Sequence, residues 1–407
     1  MAGAPSADAD SGQALGSRPE TLEEVQAQLR DMGLDGWLLY DFHGRNPVAV
    51  SLLGLEGPTR RSFALIPSEG EPEAVVHAIE ASSWRHWPWG RKTYQGWREL
   101  EKALGELIPR EARLAMEVSP GSAVPTLDLV PAGAIDLVRA SGARVESSAD
   151  LVSAFYSRWS TEQLQRHRET AAAVRRVAME AFQRAAEGVL AEDEVREREL
   201  ADWIRSRLPD EGLPVGVDCI VAVGRTAADP HYQPGDDGGE LLVRGEPVLI
   251  DLWGQPSTQD APADQTWMGY LGPTEEIPPR YREVWDAVRG ARDRALELLE
   301  ERREVQGWEV DEACRAFLDE LGFGRHFLHR TGHSIDRELH GSGPNLDNLE
   351  TRDERRLLPG VGFSVEPGVY IPGEIGVRSV VNVHLGLAGP EVPTPEPPRE
   401  ILALLDG

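Results

Sequence analysis

Apolar positions along the chain fall into two rhythms that alternate. Near the start, Leu22, Val25, Leu29 and Met32 recur at helical spacing and stop at Gly33, and Gly36-Trp-Leu-Leu-Tyr40 follows as a strand. Short apolar runs over 63–66, 74–76 and 113–117 then interleave with helical stretches such as 97–107. Strands alternating with helices over about 150 residues predict an α/β layer domain.

A break at 155–159 precedes a second pattern. Ser160-Thr-Glu-Gln163 predicts a capping box, Ser160 and Gln163 covering backbone amides at the start of a long helix over 164–186. Helical stretches over 192–207 and 280–303 then alternate with strands expected at 247–251 and 377–385. This half reads as α+β, its antiparallel strands carrying polar residues toward a cleft. No tandem repeat is present. The expected organisation is a disordered tail over 1–18, a small α/β domain over 19–158 and a second domain over 159–407.

Composition narrows the partners. With 42 Lys+Arg against 69 Asp+Glu, the formal charge of the 407-residue chain is −27. That acidity excludes nucleic acid as an expected partner, since displacing counterions from phosphates needs a basic face, and it disfavours anionic lipid. The segment from Trp84 to Lys92 mixes aromatic and basic residues, but one short patch on so acidic a chain reads as an oligomer contact or a lip over a site. Two cysteines, Cys219 and Cys314, are too few for a disulfide scaffold or a Cys-based zinc site. The first 18 residues lack a basic start and an apolar core, and no run is long enough to cross a bilayer. The expectation is a soluble cytoplasmic protein with no membrane partner.

Candidate chemistry concentrates in the second half. Six of the ten histidines fall between His231 and His384, three of them, His329, His333 and His340, within one short segment. Asp251 ends an apolar run, Asp264 precedes Thr266-Trp267, and Glu366 sits in Phe363-Ser-Val-Glu-Pro-Gly-Val-Tyr370. Hard carboxylate oxygens with an imidazole suit Mn, Co, Fe or Zn, and a carboxylate-rich set can bridge two ions.

These motifs resemble the pita-bread metallopeptidase family, in its branch of Xaa-Pro aminopeptidase, prolidase and the metal-free creatinase. Val248-Leu-Ile-Asp251, Asp264-Gln-Thr266, Gly332-His333-Ser-Ile335 and Glu366-Pro-Gly368 match its ligand motifs in order. The resemblance implies a small N-terminal α/β domain followed by a pita-bread α+β catalytic domain. It also implies one or two divalent ions on Asp251, Asp264, His333 and Glu366. It assigns His231, His340 and Glu366 to catalysis, Glu366 moving a proton while the two histidines steady the oxyanion and the leaving amine. His329 and Arg378 fall to the substrate pocket. The substrate would be a small peptide or amide, cleaved by metal-activated water, and the protein would be a homodimer, with the segment from Trp84 to Trp97 a candidate wall of a neighbouring site.

Three positions depart from the family pattern. Gly376-Val-Arg378 is followed two residues later by Val380, where the family carries the glutamate that bridges both metals. Asp336 takes the second glycine position after the ligand histidine. Asp251 and Asp264 are also farther apart than usual, which fits a longer hairpin turn through Pro256. Valine cannot coordinate, so the expected site is altered, a single ion being the leading reading. His384, on the same strand face as Val380 if the strand is regular, and Asp336 are the possible substitute ligands. The alternatives are a repurposed non-peptidase metalloenzyme, a non-haem iron lyase or oxygenase that recruits His384, and a catalytically silent binding protein.

Overall fold

The computed structural model describes Leu15 and residues 19–406, so the tail expected over 1–18 lies, apart from Leu15, outside the described residues. The chain divides into two compact units, Met1–Tyr156 and Ser157–Gly407.

The first unit is built on a six-stranded mixed sheet. Its strands run, in spatial order, Gly90–Tyr94, Glu73–His77, Ser62–Pro67, Gly36–Asp41, Arg113–Met116 and Arg144–Ser147. The central strand Gly36–Asp41 is buried on both faces. Trp37 and Leu39 enter one core while Leu38 and Tyr40 enter the other, as the period of two requires. Trp84 and Trp87 belong to the first of these cores and pack edge to face, ring centroids 5.4 Å apart. The aromatic half of the Trp84–Lys92 patch is therefore interior packing rather than a lip, and Trp97 is the exposed ring of the segment.

The second unit begins with the capping box. Ser160 Oγ accepts from the Gln163 amide and Gln163 Oε1 accepts from the Ser160 amide, opening the helix Thr161–Leu190. This helix and Glu197–Asp210 cover one face of a sheet ordered Leu402–Ala403, Ala263–Tyr270, Pro247–Gln255 and Val215–Val223. In Pro247–Gln255, Val248, Ile250 and Leu252 point into that helix-covered core. Leu249, Asp251 and Trp253 take the opposite face. A second core there includes the helices Pro279–Glu301 and Gly307–Glu320, the latter not expected from the sequence.

The apolar run expected as one strand over 377–385 is in fact two. Ile375–Arg378 pairs in a hairpin with Gly368–Ile371, whereas Val381–Gly386 pairs with Gly362–Val365 in another sheet. The chain changes sheets at Ser379 and Val380, where the Ser379 amide donates to the Pro367 carbonyl and Arg292 donates to the Ser379 hydroxyl. Periodicity of apolar residues continues through such a crossing because both strands are buried, so it cannot reveal the break.

Candidate metal centre

Hairpin register puts the first two acids on one face. Asp251 pairs with Thr266 and Asp264 with Trp253, so all four side chains project from the same side of the sheet. They meet a loop from the far part of the unit. Gly332 lies so close to the next strand that a Cβ there would stand 1.9 Å from the Ser364 carbonyl oxygen. Only glycine permits that approach. Behind it, the His333 amide donates to Ser364 Oγ and the Ser364 amide donates to the His333 carbonyl. The loop is also tied to Gly307–Glu320, since buried Asp311 accepts from the Thr331 amide and hydroxyl and from Arg315.

Asp264, His333 and Glu366 converge, each offering a ligand atom within 4.8 Å of the other two. His333 Nε2 lies 3.4 Å from Asp264 Oδ2 and 3.6 Å from Glu366 Oε2. His333 Nδ1 is 3.1 Å from the Ser334 carbonyl, which assigns the proton to Nδ1 and leaves the Nε2 lone pair facing the two carboxylates. Burial by itself would lower the His333 imidazole, but Glu366 and Asp264 raise it above its usual value. Burial and the neighbouring Asp264 raise Glu366 in turn. Two buried acids facing one imidazole lone pair form a donor set that fits a divalent cation, whose charge would relieve their mutual repulsion.

Asp251 lines the same cavity but is engaged otherwise. Its Oδ1 accepts from the Thr266 hydroxyl and its Oδ2 from Arg378, both at 2.6 Å. Burial, with Asp264 and Glu366 adding negative charge, pushes its carboxyl up to about 7 against the pull of Arg378. Arg378, which the resemblance set toward the substrate, also donates to Thr266 Oγ1 and to the Pro230 carbonyl, and lies 3.5 Å from Tyr370 Oη. These bonds tie it to Asp251 and the cavity wall, and its side chain lines the same cavity.

The other candidates divide. His231, His329 and His340 all line a cavity of about 430 Å³ with the three clustered residues. The His340 ring packs edge to face on His333 at 4.4 Å. His329 donates from Nδ1 to the Arg330 carbonyl and accepts at Nε2 from Tyr370, each at 2.8 Å. Burial pushes its imidazole down to about 3 and the Tyr370 phenol up to about 12, so both are neutral. Neither proposed substitute ligand reaches the cluster. His384 lines a separate cavity and stacks on Trp159, ring centroids 5.6 Å apart. Asp336 is buried as the acceptor of the Glu338 and Ser342 amides and the Ser157 hydroxyl, which folds its own loop. Val380 is buried and bridges to Thr266, within the row that carries Asp251.

Tyr370 and Arg330 went unnoticed in the sequence. Tyr370 closes the Glu-Pro-Gly motif and could have been found by its alternation from Gly368; Arg330, between two motif residues, gave no signal of its own.

Comparison with known proteins bears on the family and the fold. The model of metallopeptidase family M24 matches residues 165–385. Xaa-Pro dipeptidases from Lactobacillus delbrueckii and Pyrococcus furiosus are each 30% identical, over 41% and 45% of this chain. Those matches span 41% and 49% of the relatives, so the chain covers about half of their length or less. Among solved structures, dipeptidase PepE from Mycobacterium ulcerans superposes with a TM-score of 0.75 at 23% identity, covering 95% of this chain and 97% of its own. An X-prolyl aminopeptidase from Caenorhabditis elegans, described as cytosolic with a di-nuclear active site, gives 0.67 at 17% identity, covering 95% of this chain and 62% of its own. Both likenesses extend over nearly the whole of this chain's α/β fold. With the family model matching more than half of its length, the chain belongs to metallopeptidase family M24.

Proposed function

We propose that this chain is a metal-dependent hydrolase of the Xaa-Pro peptidase type that cleaves an amide bond with one divalent ion held by Asp264, His333 and Glu366. The observation that carries the reading is the convergence of those three ligand atoms while Asp251 is bound to Arg378. A bound ion would supply Lewis acidity, lowering the pKa of a water and polarising the scissile carbonyl.

The chain's own residues would do the rest. Glu366, raised by burial, accepts the proton of the attacking water and returns it to the departing amine. His340 and His231 stand on the cavity wall to donate to the oxyanion and the leaving group. Neutral His329, fixed through Tyr370, gives the pocket a shaped wall without adding charge. A valine at 380 and an arginine bound to Asp251 both favour one ion over two, because the second ion lacks its shared carboxylate and meets a guanidinium.

The iron-oxygenase alternative needed His384 as a second imidazole, and its separate cavity leaves that reading without support. Metal analysis after loading with Mn, Co, Fe or Zn in turn, alongside hydrolysis of Xaa-Pro dipeptides, tests the proposal. Near one ion per chain with hydrolysis is expected. Near two ions would overturn the single-ion reading, and iron-loaded turnover that requires oxygen would overturn the hydrolase.

A further inference from the structure

The second unit holds another cavity, of about 280 Å³, which shares no lining residue with the one at the metal centre. It lies at the start of the long helix Thr161–Leu190, with Thr161 and Leu164 in its wall. Ser160 Oγ caps the Gln163 amide, but the amides of Thr161 and Glu162 come before the first intrahelical bond and carry the positive end of the helix. The Glu162 carboxylate of that turn is drawn off to Arg166 at 2.6 Å. Arg158 adds a full charge to the wall. It is exposed, its Nε donates to the Pro359 carbonyl, and its Nη donors meet no acceptor among the described residues.

His384 makes this more than a charged surface. It lines the same cavity with only 8% of its surface exposed, yet its Nδ1 is buried without a hydrogen-bond partner. Among the described residues its Nε2 bonds to nothing either. Glu391, its neighbour across the strand pair, is held by Arg168 through two bonds of 2.6 and 2.8 Å and is not available to it. Burial lowers the imidazole below its usual value, so one nitrogen donates and the other accepts at neutral pH. The ring is nevertheless fixed. It stacks on Trp159 with the planes 24° apart, and Trp159 Nε1 donates to the Ile335 carbonyl at 2.7 Å. Buried polar groups are normally paired, so an open imidazole fixed beside a cavity points to an occupant.

We propose that this cavity is a binding site for a small organic acid, a carboxylate on a single flat ring, separate from the metal centre. The helix amides and the two Nη donors of Arg158 take the carboxylate, whose paired oxygens match that fork, and His384 adds a ring N–H. The apolar body lies among Leu164, Pro359 and Leu387, the last 87% exposed at the tip of the hairpin that carries His384. The volume is below that of most ligand pockets, which suits one ring rather than a peptide. The site does not depend on the hydrolase reading.

Calorimetry on the metal-free protein with phenylacetate, phenylacetamide and phenyl phosphate tests it. Wild type should bind phenylacetate about tenfold more tightly than phenylacetamide, the difference a charge-assisted bond supplies. Arg158→Met and His384→Phe should each weaken phenylacetate by about tenfold. Phenylalanine keeps the stack on Trp159 and removes an unpaired polar group, so the melting temperature of His384→Phe should not fall; Arg158→Met, altered at an exposed residue, gives an independent reading. Replacing His333 and His340 together by alanine should leave phenylacetate binding unchanged. Loss of binding in that double variant, with binding kept in Arg158→Met and His384→Phe, would place the acid at the metal centre and overturn the proposal. Failure of wild type to bind phenylacetate, or equal binding of acid and amide, would overturn it as well. Tighter binding of phenyl phosphate than of phenylacetate would overturn the assignment to a carboxylate.

Discussion

Arg378 donates to Asp251 at 2.6 Å with both side chains buried, joining a strand of the central sheet to the hairpin that follows the Glu-Pro-Gly turn. Removing the cation from a buried pair leaves a carboxylate among two other acids. Arg378→Met should therefore cost about 3–5 kcal/mol in the metal-free protein, read by urea unfolding. Added Mn²⁺ should return more stability to the variant than to wild type, because an ion can take over the counter-charge of Asp251. Equal gains in both proteins would show that Asp251 stays out of reach of the ion.

Val380 bridges to Thr266, which itself pairs with Asp251 across the hairpin. A carboxylate at 380 would stand in the row that carries the first acid. Val380→Glu should destabilise the metal-free protein by about 2–5 kcal/mol, since it buries an unpaired acid. With excess Mn²⁺ the ratio of ion to protein should rise from near one to near two, measured by elemental analysis after desalting. A ratio that stays at one would mean that the Arg378–Asp251 pair, rather than the valine, limits the site.

Gly332 sets the position of His333. A methyl group there would meet backbone, the Ser364 carbonyl at 1.9 Å, and no flexible side chain can yield to make room. Gly332→Ala should therefore displace the ligand loop and weaken metal binding at least 10–100-fold, the loss usual when the support of a ligand is removed. Competition with a fluorescent chelator gives the affinity. Unchanged affinity would show that His333 tolerates a shifted backbone or does not bind the ion.

Much of this centre was legible because motif spacing records register. Asp251 and Asp264 fall on one sheet face because the hairpin register has the right parity, and the capping box at Ser160 announced its helix by residue type alone. What escaped has physical causes. The break at Ser379 lies inside a run that is apolar on both sides, so period and composition do not change across it. The engagement of Arg378 with Asp251 depends on which side chains the fold brings together from distant segments. Local sequence carries no record of that meeting. Arg378 lines the cavity with the motif residues, and its bond to Asp251 there is a partnership that its own motif does not record.

The long helix carries an acid-sensitive group of its own. His167 is fully buried, its Nδ1 3.3 Å from the Ala261 carbonyl and its Nε2 without a hydrogen-bond partner in the described structure. Burial pushes the imidazole down to about 4, against the backbone hydrogen bond that raises it. An unfolded histidine titrates near 6.5, so as the pH falls the unfolded chain takes up this proton before the folded one does. The folded state is therefore fully favoured above about pH 6.5, loses stability as the pH falls from there to about 4, and loses little more from this group below that. A gap of about 2.5 units corresponds to about 3 kcal/mol at the acid end. Urea unfolding of metal-free wild type and His167→Gln at pH 7 and pH 4.5 isolates the contribution. The variant should be less stable at pH 7 through lost packing against Trp159, whose ring centroid is 4.4 Å away, yet should lose about 2–3 kcal/mol less than wild type between the two pH values. Parallel acid limbs in the two proteins would mean that His167 is not the group that senses the proton.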